Sequence, residues 1–232
     1  IVGRDRADYV FVTRPKLECT YGVAKMLQRG QTISGDSFGT RRLEQGVFVM
    51  ALSDGMGSGR QAHEESDTVV SLFLQFAEAG FTIDMALRLM NAAMIFGAEA
   101  ERFSTLDACL VDEYTGIVDC YKVGAHVSFV RHKRRTEVIE ADSLPMGASA
   151  SLEALPFRSY LEAGDYLVLV TDGVLEYLQV EDAVEMLRQL IEELADTDAV
   201  TFARKIIERV LLFTGGTAAD DMTVLVLKAL ER

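Results

Sequence analysis

Two stretches of this 232-residue chain each run a hydrophobic strand into an Asp-Gly pair. Val47 to Leu52 leads into Ser53-Asp54-Gly55, and Tyr166 to Val170 leads into Thr171-Asp172-Gly173. An aspartate at a strand end, followed by glycine, can present its carboxylate to a cleft, because the backbone there can bend sharply or approach a ligand closely. Two more acidic strand boundaries, Asp36 in SGDSF and Asp220-Asp221 before MTVLVLKA, add further segments of the same kind. Carboxylates gathered in one place repel and raise each other's pKa unless cations sit between them. Hard divalent ions such as Mg2+ or Mn2+ choose oxygen ligands and keep several waters, so a carboxylate-lined, hydrated site suits them.

For those carboxylates to meet, strands must deliver them. The six apolar residues at 47–52 read as a buried strand. Residues 8–27 hold the short alternating runs DYVFVT and ECTYGVAKM, which read as early strands. Gln28 to Gly35 reads as a polar turn delivering Asp36, and 40–46 as an exposed hairpin. From 62 to 78 the period becomes helical, with Val69, Leu72, Phe73, Phe76 and Ala77 on one face, and Gly80 ends the helix. Thr82 and Asp84 open a second helix over 83–96, striped by Ile83, Leu87, Met90 and Met94. Strands are expected at 105–111, 116–123, 126–131 and 136–140, spaced as an antiparallel meander, then near 157–161 and at 166–171. Helices near 177–194 and 198–213 and a strand at 222–229 close the chain. This order predicts an α+β fold of two packed, mainly antiparallel sheets flanked by helix pairs.

Composition agrees. Hydrophobic residues make up 49% and charged residues 25%, enough apolar side chain for a large core within one globular domain. The net charge of -13 disfavours nucleic acid and anionic membrane as non-specific partners and suits cation binding, although an acidic surface kept for solubility carries the same sign. Cys19, Cys109 and Cys120 are widely spaced and form no CxxC pair, which points to reduced thiols in a cytoplasmic compartment. No stretch approaches the roughly 20 apolar residues of a membrane span. The chain starts at Ile1 without Met, so residues 1–232 read as a single domain excised from a longer protein, whose missing N-terminal region anchors it to a membrane or regulates it.

The set Gly35-Asp36-Ser37, Ser53-Asp54-Gly55-Met56-Gly57, Thr171-Asp172-Gly173 and Asp220-Asp221-Met222-Thr223-Val224 resembles the metal-dependent serine/threonine protein phosphatases of the PPM (PP2C-like) family. The surrounding SGDSF, ALSDGMGSGRQAHEES, STLDACLVD, YKVGAH, LPMG and GDYLVLVTDGV are similar to one bacterial branch, the stage II sporulation protein E phosphatase domain and its stress-response relatives. The likeness runs from about Gly22 to Lys228, with the motifs in the family's order. It implies an α-β-β-α sandwich that hydrolyses phosphoserine or phosphothreonine on a protein by water held between two Mn2+ or Mg2+ ions, with no protein nucleophile. It further implies that Asp54 bridges the two ions, that the Gly55 carbonyl coordinates one, that Asp172 and Asp220 complete the second, and that Asp36 reaches the site directly or through water. Asp221 is expected in a structural role. The implied substrate is a small phosphorylated anti-sigma factor antagonist, whose dephosphorylation in sporulation or stress signalling releases a sigma factor.

Many eukaryotic members carry a His after the bridging Asp-Gly and an Asp near the position of Gly124. This chain has Met56 and Gly124-Ala125-His126, which leaves a His acid and a third metal in doubt. Arg60, just past the glycines, is the candidate for a bidentate phosphate contact, weighed against a solvated arginine at a helix start. His63 is expected exposed at that helix start, and Met56, Met85, Met90 and Met94 in core packing.

Three lookalikes fail. Ile1-Val2-Gly3 with Gly35-Asp36-Ser37-Phe38-Gly39 echoes an activated serine protease, but the Ser precedes every His. Gly35-Asp36-Ser37 also echoes GDS-type esterases, but no His follows His132 to close a triad. The 55–59 glycines put Arg60 where GxGxxG needs its third Gly. A rival of another class keeps the phosphatase fold as a regulatory module with weak or switch-gated catalysis, in which packing or homodimerisation of helices 62–80 and 83–96 positions Gly55. A plain acidic cation-binding protein is disfavoured, because the carboxylates are dispersed rather than held in one calcium loop.

Overall fold

The structure, a computed structural model, describes residues 13–96, 103–125, 127–133, 135–152, 156–178, 180–214 and 220–232. In chain order its elements begin with β1 (Leu17–Met26), β2 (Asp36–Arg42), β3 (Val47–Asp54), α1 (Arg60–Glu78) and α2 (Ile83–Phe96). There follow β4 (Leu106–Asp112), β5 (Ile117–Val123), β6 (Val127–Arg131), β7 (Thr136–Glu140), β8 (Phe157–Tyr160) and β9 (Tyr166–Val170). The chain closes with α3 (Asp172–Glu176), α4 (Ala183–Glu193), α5 (Ala199–Thr214) and β10 (Met222–Glu231).

Among the described residues ten strands form two five-stranded sheets, ordered β1-β10-β9-β6-β7 and β2-β3-β4-β5-β8, with antiparallel pairing throughout. The sheets pack face to face. Met50, Leu52, Cys109, Leu167, Leu169 and Leu225 belong to the core between them. The opposite faces are covered by helices: Val49, Ala51 and Ala108 meet Phe73 and Leu87 of α1 and α2, while Val168, Val170 and Val224 meet Ile191 of α4 and Phe202 of α5. Central strands such as β3 and β9 are therefore buried on both faces, which is why they read as unbroken apolar runs rather than as alternating ones. Each fully buried side chain of this size contributes about 1.5–3 kcal/mol. The four-layer α-β-β-α sandwich is thus as expected.

The local expectations fare unevenly. The first helix ends before Gly80, whose φ of 78° is a left-handed conformation that glycine adopts readily. The strands at 105–140 do not form one meander. β4 and β5 lie in one sheet and β6 and β7 in the other, the chain changing sheets at Gly124, with φ 64° and Pro145 packed where a Cβ would stand. The helix expected near 177–194 starts later, as α4 after Asp182, whose carboxylate accepts from Glu185 N at 2.9 Å, and a short α3 that was not expected precedes it from Asp172 itself. Most of the DYVFVT run, and His126 at the start of the strand expected at 126–131, lie outside the described residues.

Candidate active site

The site lies where the two sheets open at one end. β2 and β3 pair so that Asp36 stands opposite Asp54. Asp54 is stitched in place by its neighbour segment: its N–H donates to Thr105 Oγ1 at 2.9 Å, and its carbonyl accepts from Thr105 N at 2.9 Å and Ser104 Oγ at 2.8 Å. Beside it, Ser53 Oγ donates to the Thr105 carbonyl at 2.5 Å. These bonds satisfy the backbone where the β3–β4 ladder ends and leave the Asp54 carboxyl to face the opening.

From the other sheet come Asp172, the first residue of α3, and Asp220, just ahead of β10. Each carboxylate accepts the next residue's N–H, Gly173 N and Asp221 N respectively, both at 2.8 Å. Asp54, Gly55, Met56, Thr105, Asp172 and Asp220 line one cavity of about 490 Å³, and among the described residues no Lys or Arg lines it. Burial, then the charges of Asp36 and Asp172, a hydrogen bond with Asp172 and the charge of Asp220 push the Asp54 carboxyl up to about 9. Burial also pushes Asp220 up.

Asp36 is set deeper. It is 1% exposed, and its Oδ2 accepts from Thr171 Oγ1 at 3.1 Å and Thr223 Oγ1 at 2.5 Å, so it ties the two sheets together behind Asp54. Burial pushes it up to about 6 against the opposing pull of the Thr223 hydroxyl, Lys25 and the Thr171 hydroxyl. Lys25 Nζ donates to the Asp36 carbonyl at 2.7 Å. Asp221 faces away from this group and accepts from Gln28 N at 2.8 Å and Gly35 N at 2.7 Å, which pins the 28–35 turn.

Two glycines are required by close approach. A Cβ on Gly55 would lie 2.0 Å from the Ala62 carbonyl oxygen of α1, and one on Gly173 would lie 2.1 Å from the Asp221 carbonyl oxygen. Helix α1 therefore rests directly on the loop that begins at Gly55.

Of the residues singled out in the sequence, Asp54, Gly55, Asp172 and Asp220 share the cavity and Asp36 backs it. Arg60 is exposed at the first position of α1, outside the lining. His63 is half-buried rather than exposed, with Nδ1 3.3 Å from Ser37 Oγ, because α1 packs on β2. Met90 is core, but Met56 is 63% and Met85 52% exposed: Met56 sits on the loop at the cavity, and Met85 on the outer face of α2. Unforeseen were the hydroxyls of Ser104, Thr105, Thr171 and Thr223. The STLD segment carries two of them, yet nothing in its pattern shows which strand end they would lace.

Among the described residues no three acidic, histidine or cysteine side chains already form a closed ligand cage. The donors nonetheless fit Mg2+ or Mn2+: all are hard oxygens, and such ions keep most of their waters and need only one or two carboxylates directly. Carboxylates crowded until one holds its proton to about 9, with no cation of the protein lining their cavity among the described residues, are a donor set that a divalent ion relieves.

A family model described as Stage II sporulation protein E (SpoIIE) matches residues 44–230. Stage II sporulation protein E of Priestia megaterium is 34% identical over 208 residues, covering 89% of this chain and 36% of that protein. The phosphoserine phosphatase RsbU of Bacillus subtilis (strain 168) is 33% identical over 200 residues, covering 84% of this chain and 59% of that protein. The solved PP2C phosphatase domain of SpoIIE from Bacillus subtilis, with a fragment of its regulatory domain, superposes with a TM-score of 0.88 at 28% identity, over 95% of this chain and 65% of that one. The chain spans about a third of the length of the first of these relatives.

Proposed function

Because the chain belongs to the stage II sporulation protein E (SpoIIE) family and has the PP2C phosphatase fold, we propose that it hydrolyses phosphoserine or phosphothreonine on a protein with the help of two divalent ions, Mn2+ or Mg2+. The observation that carries this reading is the meeting of Asp54, Asp172 and Asp220, from three separate chain segments, in one cavity that no described cationic side chain lines. When bound there, divalent ions supply a nucleophile at neutral pH and neutralise the charge that develops in an in-line displacement.

The protein's own part is placement. Asp54, fixed by Ser104 and Thr105, would hold the ions once it gave up the proton that crowding lets it keep. Gly55 offers its carbonyl beside it, and Asp172 and Asp220 face them from the second sheet. Asp36 supports Asp54 from behind. Arg60 stands one residue past the 55–59 loop and is the cation that meets the phosphate of an incoming chain. The substrate is a phosphorylated anti-sigma factor antagonist, and RsbU and stage II sporulation protein E among the relatives support this choice. The domain works on the cytoplasmic side, anchored through a region outside residues 1–232. Among the described residues no helix is long and apolar enough to cross a membrane.

One contact favours a second reading, in which catalysis is gated. Because α1 leaves no room for a Cβ at Gly55, a shift of α1 against α2, or its packing in a homodimer, would move the Gly55 carbonyl, which in this reading would hold one ion.

The deciding experiment follows hydrolysis of a phosphoserine peptide against Mn2+ concentration for the wild type and Asp172→Asn. Metal-dependent turnover lost in the variant supports the phosphatase. Metal binding without turnover supports the gated module, and absence of metal binding overturns both.

A further inference from the structure

Behind the metal-site aspartates, the core between the sheets contains an ion pair. Asp107 of β4 and Lys122 of β5 are paired residues on adjacent strands, and Lys122 Nζ lies 2.7 Å from Asp107 Oδ2 with the side chains 2% and 3% exposed. Ser128 of β6, from the opposite sheet, donates to the same Oδ2 and accepts from Lys122 Nζ at 2.8 Å. Asp107 pairs with Leu52 across β3–β4, and Leu52 belongs to the apolar core between the sheets. A buried ion pair adds little net stability over apolar residues of the same size, so stability does not account for it here.

One atom of the cluster is left over. Asp107 Oδ1 is buried and has no hydrogen-bond partner. Asp107 lines a narrow cavity of about 10 Å³ together with Asp54, Thr105, Thr171 and Asp172. That volume admits about one water, and the walls offer the two to four polar partners a buried water needs. Thr105 Oγ1 already accepts from Asp54 N, which leaves its hydroxyl proton to donate. A water that accepts from Thr105 can donate one proton to Asp107 Oδ1 and the other to a carboxylate oxygen of Asp54 or Asp172. A further metal ion does not suit this space: it is too small for a hydrated ion, and Lys122 already balances Asp107.

We propose that Asp107, held by Lys122 and Ser128, is a positioning residue that fixes the Asp54 and Asp172 carboxylates through one buried water and so sets the site's affinity for divalent cations. The inference rests on the two-metal reading given above. Asp107 touches neither the substrate nor the ion. Lys122 and Ser128 both hold Oδ2 and so fix the rotamer, which keeps the free Oδ1 turned toward the cavity.

The test is Mn2+ binding, measured by calorimetry and by the electron paramagnetic resonance of free Mn2+, on wild type, Asp107→Asn, Asp107→Asn/Lys122→Met and Ser128→Ala. In Asp107→Asn the amide oxygen stays toward Lys122 and an NH2 group faces the cavity, which turns the acceptor into a donor. The expected result is a Kd for Mn2+ raised about 10- to 100-fold, the range for groups that orient metal ligands. The KM for phosphopeptide at saturating Mn2+ should stay within about twofold, because such a positioning group does not bind substrate. The double variant, which restores charge balance, should stay weakened, and Ser128→Ala, which leaves both charges in place, should weaken binding by a smaller factor. Recovery of wild-type affinity in the double variant would show that charge alone acts and would overturn the proposal. So would an unchanged Kd in Asp107→Asn, or in Ser128→Ala if the former does not fold. Failure of the wild type itself to bind Mn2+ would instead remove the two-metal reading and this inference with it.

Discussion

Asp36 and Asp54 stand directly opposite each other at the end of the β2–β3 pair. Two carboxylates placed this way repel across the strands, and burial compounds the cost. The fold holds them up to about 6 and about 9 respectively, so without metal it prefers them protonated. An acid whose folded pKa is raised contributes most stability below its unfolded value and loses it as pH rises through the folded value. In EDTA the Tm should therefore fall from about pH 4, the ordinary carboxylate value, up to about pH 9, with Asp36 and Asp54 both contributing below about pH 6 and Asp54 alone above it. Saturating Mn2+ should flatten the slope, because cation binding favours the ionised form. Asp54→Asn should raise the metal-free Tm at pH 8 by at least about 2 °C. Thermal melts across pH with and without metal read this directly, and a metal-free Tm independent of pH would contradict it.

The contact between Gly55 and Ala62 makes α1 a lever on the loop. Gly55→Ala forces the helix outward and should cost about 1–3 kcal/mol of stability. Phe73→Leu and Leu87→Met repack the α1–α2 interface at less than about 1.5 kcal/mol each. If α1 gates the site, these two variants shift the Mn2+ concentration for half-maximal turnover severalfold while their Tm stays within about 6 °C of wild type. An unchanged metal titration in folded variants would end the gated reading.

Asp221 holds the 28–35 turn by two backbone N–H groups, those of Gln28 and Gly35. Asp221→Ala leaves both donors without this acceptor and should destabilise the protein by about 2–4 kcal/mol. Asp221→Asn keeps one acceptor and should cost about half as much. Urea unfolding at pH 7 compares the two, and equal midpoints for Asp221→Ala and wild type would refute the assignment.

Arg60 lies in solvent at the start of α1. If it meets the substrate phosphate, Arg60→Ala raises KM for a phosphoserine peptide by about tenfold or more, as expected for loss of a charge-assisted contact. Steady-state kinetics at saturating Mn2+ would show this. A KM within error of wild type returns Arg60 to the role of a solvated helix-start residue.

Much of the candidate site was legible in the chain because its carboxylates obey a local rule. Asp54, Asp172 and Asp220 each sit where an apolar run meets a turn, and a strand boundary is a short-range property of hydrophobic periodicity. The same periodicity located α1 and α2 and the burial of β3 and β9. Short α3 was less visible, since a five-residue helix that starts at a strand-end aspartate looks from its pattern like a loop.

What only the tertiary structure decided is which segments meet. The crossing at Gly124, which sends β6 and β7 to the opposite sheet from β4 and β5, depends on packing against Pro145 and leaves no trace in strand periodicity. Asp36 could be read as a strand-end carboxylate, but its place behind Asp54 follows from Thr171 and Thr223 arriving from the other sheet. Asp107, Lys122 and Ser128 carry no local signal within the strands expected at 105–111, 116–123 and 126–131. They become a cluster because strand pairing brings the first two together and sheet packing adds the third. Local spacing determines where a carboxylate leaves its strand, whereas long-range pairing determines what it then faces.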